Sequence, residues 1–317
     1  MKLFRYLLAP LLLFIFPPLP LWASYFASAE AINISYRLGD LQIPATTGAT
    51  TDWTTNGAMP YTVVSDNNAE SFLDLTMGGH VLGDGVTWIT SNAGVGVQFK
   101  LTDVNGCLAE ATQPPYYMSL PANTSCLSSS LQISYRLVRL ADVVPAGKID
   151  MPNVQVSFAN YSGAPVANFV SMFYSGGSDQ PQIIPCDIDV PGEVRLDDLQ
   201  SGEIAAGTLK MKNVPVTFRN CPGAISNIRY AFTSAYGPQD AAYGTINTSP
   251  GSAANIYFQL LRASGDPYHI AEYYDLEGYT GSGEYSVPFN VAYFVASPEQ
   301  VALGDVDSLV TLTVNYQ

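Results

Sequence analysis

The sequence ends in residues 310–317, VTLTVNYQ, where apolar and polar side chains alternate. Val310, Leu312, Val314 and Tyr316 share one face of an extended strand, because successive side chains point to opposite sides. The alternation predicts a strand with one buried face. We expect no later strand to cover its free edge, and such an edge is protected when another chain adds a strand to it. The alternative is an ordinary edge strand protected by charged side chains.

The rest of the chain also has the character of strands. Runs of β-branched and aromatic residues recur at short spacing, bounded by turn-forming residues. The 317 residues include 26 Gly, 22 Pro and 20 Tyr, a composition that suits short strands joined by many turns. No convincing amphipathic helix exceeds a few turns. The predicted fold class is therefore all-β, with Ig-like or jelly-roll β-sandwiches.

The two halves of the chain share a weak internal repeat. Three segments match at an offset of about 158 residues: 97–101 with 256–260, 133–135 with 291–293, and 154–158 with 312–316. The steady offset predicts two sandwich domains of related plan. In the first half the chain continues into another strand-like run, residues 164–174, which has no counterpart in the second half. The second domain is therefore predicted to be incomplete and to lack its last strand.

The predicted organisation begins with a signal peptide, residues 1–29. Lys2 and Arg5 precede an apolar run, and residues 27–29 form an A-x-A cleavage signal. We therefore expect the protein to be exported and its mature chain to start at Glu30.

A short polar linker is predicted to divide the mature chain into two domains. We assign residues 30–175 to a first domain, 176–180 to a polar linker and 181–317 to a second domain.

The cysteines predict disulfides, because an exported chain meets an oxidising compartment. Cys107, Cys126, Cys186 and Cys221 allow three pairings. Nearest-neighbour pairing, Cys107–Cys126 and Cys186–Cys221, keeps each bond within one predicted domain, and we expect these two bonds. The absence of a C-x-x-C motif from the sequence disfavours zinc ribbons and thioredoxin-type redox sites.

Composition and motifs also argue against several functions. The 13 Lys and Arg against 27 Asp and Glu give a net charge of −14, which disfavours nucleic acid as a partner. The two His make a multi-His metal site improbable. The sequence contains no HExxH, Walker A or GxSxG motif. We expect a protein that is not an enzyme and that holds no metal or cofactor.

The second half carries a more specific set of features. They are Cys186 and Cys221, the strand 216–221 that runs into the second cysteine, the segments 253–260 and 289–293, Gly304, and the penultimate Tyr316. Together they resemble the pilin domain of chaperone–usher fimbriae, over about residues 181–317. A whole domain precedes this one, so the chain resembles a two-domain tip adhesin. Its second domain is more similar to that of the type 3 fimbrial adhesins than to that of the type 1 mannose-binding adhesin.

The resemblance implies a fimbrial tip adhesin that is exported through the periplasm and displayed at the tip of a fimbrium on the bacterial surface. It implies three assembly partners: a periplasmic chaperone, an outer-membrane usher, and the next fimbrial subunit, which donates the missing strand. The chaperone would recognise Val310, Leu312, Val314 and Tyr316, and its basic side chains would anchor the carboxylate of Gln317.

Receptor binding, to a host glycan or a matrix protein, is expected in the first domain. Sugar sites combine aromatic faces with side chains that hydrogen-bond to hydroxyls. Loop-like stretches offer such residues at Asp52, Trp53, Asn56, Tyr116 and Tyr117. Trp88 lies in an alternating strand, where a core role is expected. Two alternatives stay open: a structural minor subunit or adaptor without a receptor, and a secreted β-sandwich glycosidase, whose paired carboxylates need not be close in sequence.

Overall fold

A computed structural model describes residues 24–27, 32–55, 57–65, 71–77, 80–106, 110–113, 118–120, 125–160, 165–175, 177–207 and 210–317. The fold is all-β, as predicted, and most strand pairs are antiparallel. Within these residues the helical elements are one α-helix, Ser201–Ala205, and two 3-10 turns, Leu38–Asp40 and Pro298–Gln300. No helix in this part of the chain is long and apolar enough to cross a membrane.

The N-terminal half, residues 24–180, contains two large sheets. Its strands are β1 (Ser24–Ala27), β2 (Ile32–Ser35), β3 (Thr54–Thr55), β4 (Met59–Ser65), β5 (Ser71–Met77), β6 (Trp88–Ile89), β7 (Val95–Asp103), β8 (Met118–Leu120), β9 (Ser125–Arg139), β10 (Ile149–Asp150), β11 (Val154–Asn160), β12 (Pro165–Ser175) and β13 (Ser178–Asp179). One sheet has the order β1-β4-β9-β7-β6, with β3 also paired to β9, and the other has the order β2-β12-β11-β5-β8. The β2–β12 pair is parallel.

The C-terminal half, residues 181–317, contains a six-stranded and a three-stranded sheet. Its strands are β14 (Asp187–Asp189), β15 (Met211–Cys221), β16 (Ile228–Ser234), β17 (Pro238–Asp240), β18 (Thr245–Ile246), β19 (Ile256–Arg262), β20 (Tyr274–Asp275), β21 (Gly283–Val295) and β22 (Val310–Tyr316). The strand order is β14-β15-β21-β19-β18-β17 in the six-stranded sheet and β20-β16-β22 in the three-stranded sheet.

The predicted internal repeat is confirmed by the strand pairing. Val97 on β7 faces Leu137 on β9, and at the matching positions Ile256 on β19 faces Val295 on β21. Likewise β11 pairs antiparallel with β5, and β22 pairs antiparallel with β16. The two halves differ at the next position: β12 pairs antiparallel with the other edge of β11, whereas β22 is an edge strand among the described residues.

Alternation along β7 and β9 builds the core of the N-terminal half. Val97, Phe99 and Leu101 are fully buried, as are Ile133 and Tyr135 opposite them. Gln98 and Lys100, which lie between them on β7, point to the other side of the sheet and are half-buried. Trp88 is also buried, which confirms its expected core role.

The core of the C-terminal half includes the predicted disulfide between Cys186 and Cys221. The bond joins the residue before β14 to the last residue of β15, and it is confirmed. In the chain-entropy model it stabilises the fold by roughly 3–4 kcal/mol. Cys107 and the side chain of Cys126 lie outside the described residues, so their pairing stays a prediction.

Two short pairings fall close to predicted boundaries. Strand β13, inside the predicted linker, pairs with β10. Strand β1, inside the predicted signal peptide, pairs with the end of β4. The domain limits and cleavage after Ala29 stay predictions.

A loop of the N-terminal half, residues 142–147, joins the two halves. Five hydrogen bonds of 2.8 Å connect it to the C-terminal half: Ala146 N–H to the Thr280 carbonyl, Gly147 N–H to the Ile225 carbonyl, Ala224 N–H to the Pro145 carbonyl, Ser282 N–H to the Val144 carbonyl, and Val144 N–H to the Ser282 hydroxyl. We call residues 142–147 the joining loop.

The joining loop is also fixed from its own half and approached closely by glycine. The Asn92 side-chain amide donates to the Pro145 carbonyl at 3.0 Å. A Cβ atom on Gly223 would lie 2.0 Å from the Val144 carbonyl oxygen, so any side chain at Gly223 requires a displacement of backbone. The two halves therefore meet in a contact that is formed mainly by backbone groups.

Candidate strand-acceptor edge and receptor-binding surface

Strand β22 presents one paired and one unpaired edge within the described residues. Its paired edge runs along β16, where Leu312 lies opposite Phe232 and Val314 opposite Tyr230. The inward side chains of β22 are half-buried, and Thr311 and its other outward residues are exposed. The pattern confirms the predicted strand with one apolar face.

Other apolar side chains remain half-buried beside the same core. Together with the β22 residues they pack against the buried cluster, and they include Ile183, Val194, Phe258, Val291 and Tyr285. Leu309, immediately before β22, is 58% exposed. Burial of apolar surface contributes about 25 cal/mol per Å². The half-buried Val310, Leu312 and Val314 of β22 would therefore add to the backbone hydrogen bonds that hold a strand laid along its free edge.

Tyr316 connects the end of β22 to the disulfide. The Cys186 backbone N–H donates to the Tyr316 hydroxyl at 2.8 Å. Burial raises the pKa of Tyr316, and the hydrogen bond accepted from Cys186 acts in the opposite direction. The next residue, Gln317, exchanges two backbone hydrogen bonds of 2.9 Å with Asn227. The end of β22 is thus fixed to two loops of its own half.

A second surface lies on the outward face of the first sheet, around Trp53. The Arg136 guanidinium lies 4.4 Å from the centre of the Trp53 ring, and the Lys100 ammonium lies 5.2 Å from it. Strand pairing places Lys100 and Arg136 on adjacent strands, β7 and β9, both at outward positions. We call Trp53, Lys100 and Arg136 the cationic indole surface.

Hydrogen bonds hold the cationic indole surface in one arrangement. The Arg136 Nε and Nη2 groups donate to the Gln98 side-chain oxygen at 2.9 and 2.7 Å, and the Gln98 amide donates to the Thr87 hydroxyl at 2.8 Å. Lys100 forms an ion pair of 3.3 Å with Glu110. Arg136 is therefore oriented by a neutral partner, and Lys100 by an exposed acid.

The structure describes two of the five residues predicted to form the receptor site. Asp52 is exposed and Trp53 is half-buried. Asn56, Tyr116 and Tyr117 lie outside the described residues. The sequence analysis missed Lys100 and Arg136, although the period-2 alternation of their strands places both on the outward face.

The acidic residues of β14 are bound by neighbouring side chains. Asn220 donates to the Asp187 carboxylate at 2.7 Å, and Arg219 lies 3.1 Å from Asp189. Among the residues that the structure describes, no group of three or more His, Cys, Asp and Glu is placed to hold a metal ion.

One protein-family model matches part of the chain. Residues 184–317 match the model of the family described as Fimbrial protein, which confirms the resemblance of this half to a pilin domain. No curated protein matches the chain.

Several solved structures of fimbrial proteins are similar to this chain at low identity and low TM-score. The CupB6 tip adhesin from Pseudomonas aeruginosa is 14% identical with a TM-score of 0.42, over 90% of this chain and 93% of that one. The CFA/I adhesin CfaE of enterotoxigenic E. coli is 9% identical with a TM-score of 0.38, and the match covers 92% of this chain and 93% of CfaE. The P pilus rod subunit PapA is 14% identical with a TM-score of 0.34, over 42% of this chain and all of that one. At these values the likenesses carry no argument about residues or function.

Proposed function

We propose that this chain is a fimbrial tip adhesin. Its second domain, residues 181–317, joins the fibre by accepting a strand from another subunit, and its first domain, residues 30–175, binds a receptor. The observation that carries the proposal is the unpaired edge of β22, because the matching strand of the other half, β11, is covered by β12.

The internal repeat indicates how the accepted strand runs. Since β12 lies antiparallel to β11, a strand from the next subunit would lie antiparallel to β22 and complete the same plan. Backbone hydrogen bonds would hold it, and pockets between Val310, Leu312 and Val314 would set its register. Assembly would then follow the chaperone–usher route. The periplasmic chaperone covers the edge of β22 before assembly, and at the usher the donor strand of the next subunit replaces the chaperone.

The chain is proposed to bind rather than to catalyse. In the first domain, Trp53 and its cationic neighbours form a partly exposed surface on a rigid sheet, as a recognition site requires. The protein would then act at the fibre tip on the bacterial surface, with a host glycan or matrix protein as receptor.

The strand-acceptor part is tested by producing residues 178–317 in a periplasm with and without the chaperone. We expect aggregation or degradation without it and a soluble one-to-one complex with it. A stable, soluble monomer of residues 178–317 without any partner would refute the incomplete fold.

The receptor part is tested with the mature chain on a glycan array, on matrix proteins and on host cells. We expect specific binding, and we expect this binding to be lost when the first domain is deleted. Fibre incorporation without any binding would identify an adaptor instead, and turnover of chromogenic glycosides would identify a glycosidase.

A further inference from the structure

We propose that the cationic indole surface binds an acidic glycan, through a carboxylate or sulfate group held between Arg136 and Lys100. The inference rests on the proposed receptor-binding function and adds the chemical class of the receptor and two residues that select it.

The charge distribution is the first support. The chain is strongly acidic, and residues 30–175 contain five basic residues: Arg37, Lys100, Arg136, Arg139 and Lys148. Two of these five converge on one indole ring. A local positive site on an acidic protein attracts an anion specifically, because the surrounding surface repels it.

The state of Arg136 is the second support. Its guanidinium is fixed by the Trp53 ring and by two hydrogen bonds to Gln98, and within the described residues no carboxylate contacts it. Its charge is thus not neutralised, and its orientation costs little further entropy on binding. A planar guanidinium of this kind suits the paired oxygens of a carboxylate or sulfate.

Lys100 supplies a second cation that a ligand can recruit. Its partner Glu110 is 44% exposed on its side chain, and exposed ion pairs contribute little to stability. An incoming acid group can therefore replace Glu110 at small cost. The bound group would then lie between two cations on adjacent strands.

The neighbouring polar groups favour a sugar over an acidic peptide. Thr55, on β3 beside β9, is exposed, and its hydroxyl shares a hydrogen bond of 2.5 Å with the Ser134 hydroxyl. The Thr102 hydroxyl donates to the Glu110 carboxylate at 3.1 Å. Hydroxyl groups around a partly exposed indole match the hydroxyls and C–H face of a pyranose ring.

The test measures binding of the mature chain, residues 30–317, with a donor-strand peptide of the next subunit bound along β22 to keep it soluble, to four probes: 3′-sialyllactose, a sulfated heparin tetrasaccharide, lactose and a poly-glutamate peptide. We expect one of the two acidic sugars to bind at least roughly tenfold more tightly than lactose, with affinity falling as salt rises. Arg136→Gln should weaken this binding by roughly tenfold or more and Lys100→Gln by a smaller factor. Lys148→Gln, which removes an exposed charge in the same half, should leave it unchanged.

Arg136→Lys serves as a second variant, since it keeps the charge and removes the planar fork. It should show an intermediate affinity and an unchanged melting temperature. The acidic-glycan assignment would be overturned if poly-glutamate or lactose bound more tightly than both acidic sugars. It would also be overturned if the protein bound host cells but neither acidic sugar. Acidic-sugar binding that is unaffected by Arg136→Gln would overturn it as well. Absence of all binding to cells, matrix proteins and glycans would instead overturn the proposed receptor function.

Discussion

Tyr316 illustrates how a single side chain links distant parts of the second domain. Its ring belongs to the apolar face of β22, and its hydroxyl satisfies the backbone N–H of Cys186, which is buried. A buried donor without a partner is costly, so the hydroxyl has a role that packing alone would not require.

Replacement of Tyr316 by Phe should therefore lower the free energy of unfolding by about 1–3 kcal/mol, because the ring stays while the Cys186 N–H loses its acceptor. Urea denaturation of the mature chain, with a donor-strand peptide bound along β22, measures the change. Tyr243→Phe, at a residue that is 63% exposed, is the matched control and should change stability by less than about 0.5 kcal/mol. Equal effects of the two substitutions would contradict the assigned hydrogen bond.

At the same scale, the sequence predicted Trp53 but not its neighbours. A tryptophan flanked by polar residues can be recognised from the sequence as a candidate for partial exposure, and Trp53 is half-buried. Lys100 and Arg136 could be assigned to an outward face by alternation. Their convergence on Trp53 depends on the register between β7 and β9 and on the two-residue strand β3, which local sequence does not specify.

At the scale of the element, β22 was predictable in type and in face. Its strict alternation predicts which side chains face the core, and in the structure these side chains are half-buried while the others are exposed. The short strands β3, β6 and β10 were not all predictable. A segment of two residues is too short to show an alternating pattern, and it forms a strand only where a neighbouring strand has a free edge to pair with.

Leu312→Asp should abolish capture by the chaperone, because a carboxylate would replace an apolar side chain opposite Phe232, where water cannot fully solvate it. Co-purification with the chaperone and immunogold labelling of fibre tips measure the loss. Thr311→Asp adds the same charge on the exposed face of the same strand and should assemble normally. Normal incorporation of the Leu312→Asp protein would rule out this assembly mechanism.

At the scale of the whole molecule, the repeat was visible in sequence but the contact between its two copies was not. Offsets between segments reveal related plans, since both copies need apolar residues at the same strand positions. The joining loop has no such pattern. Its role depends on Gly223, whose lack of a side chain admits the Val144 carbonyl.

Gly223→Ala should therefore separate the two halves, because its Cβ would overlap the Val144 carbonyl oxygen. We expect a larger radius of gyration in solution scattering and faster tryptic cleavage after Lys148, next to the joining loop. Gly83→Ala, where nothing lies within 4 Å of the added atom, is the control and should behave like the original chain. An unchanged radius and cleavage rate for Gly223→Ala would contradict a fixed contact between the halves.

The central claim is that β22 has a free edge where β11 has none, and residue-resolved amide hydrogen exchange of the mature chain tests it most directly. The account predicts that the β11 amides are uniformly protected, because β5 and β12 pair with both edges. Alternate β22 amides, those that point away from β16, should exchange rapidly and become protected when the chaperone is added. Uniform protection along β22 in the absence of any partner would contradict the account.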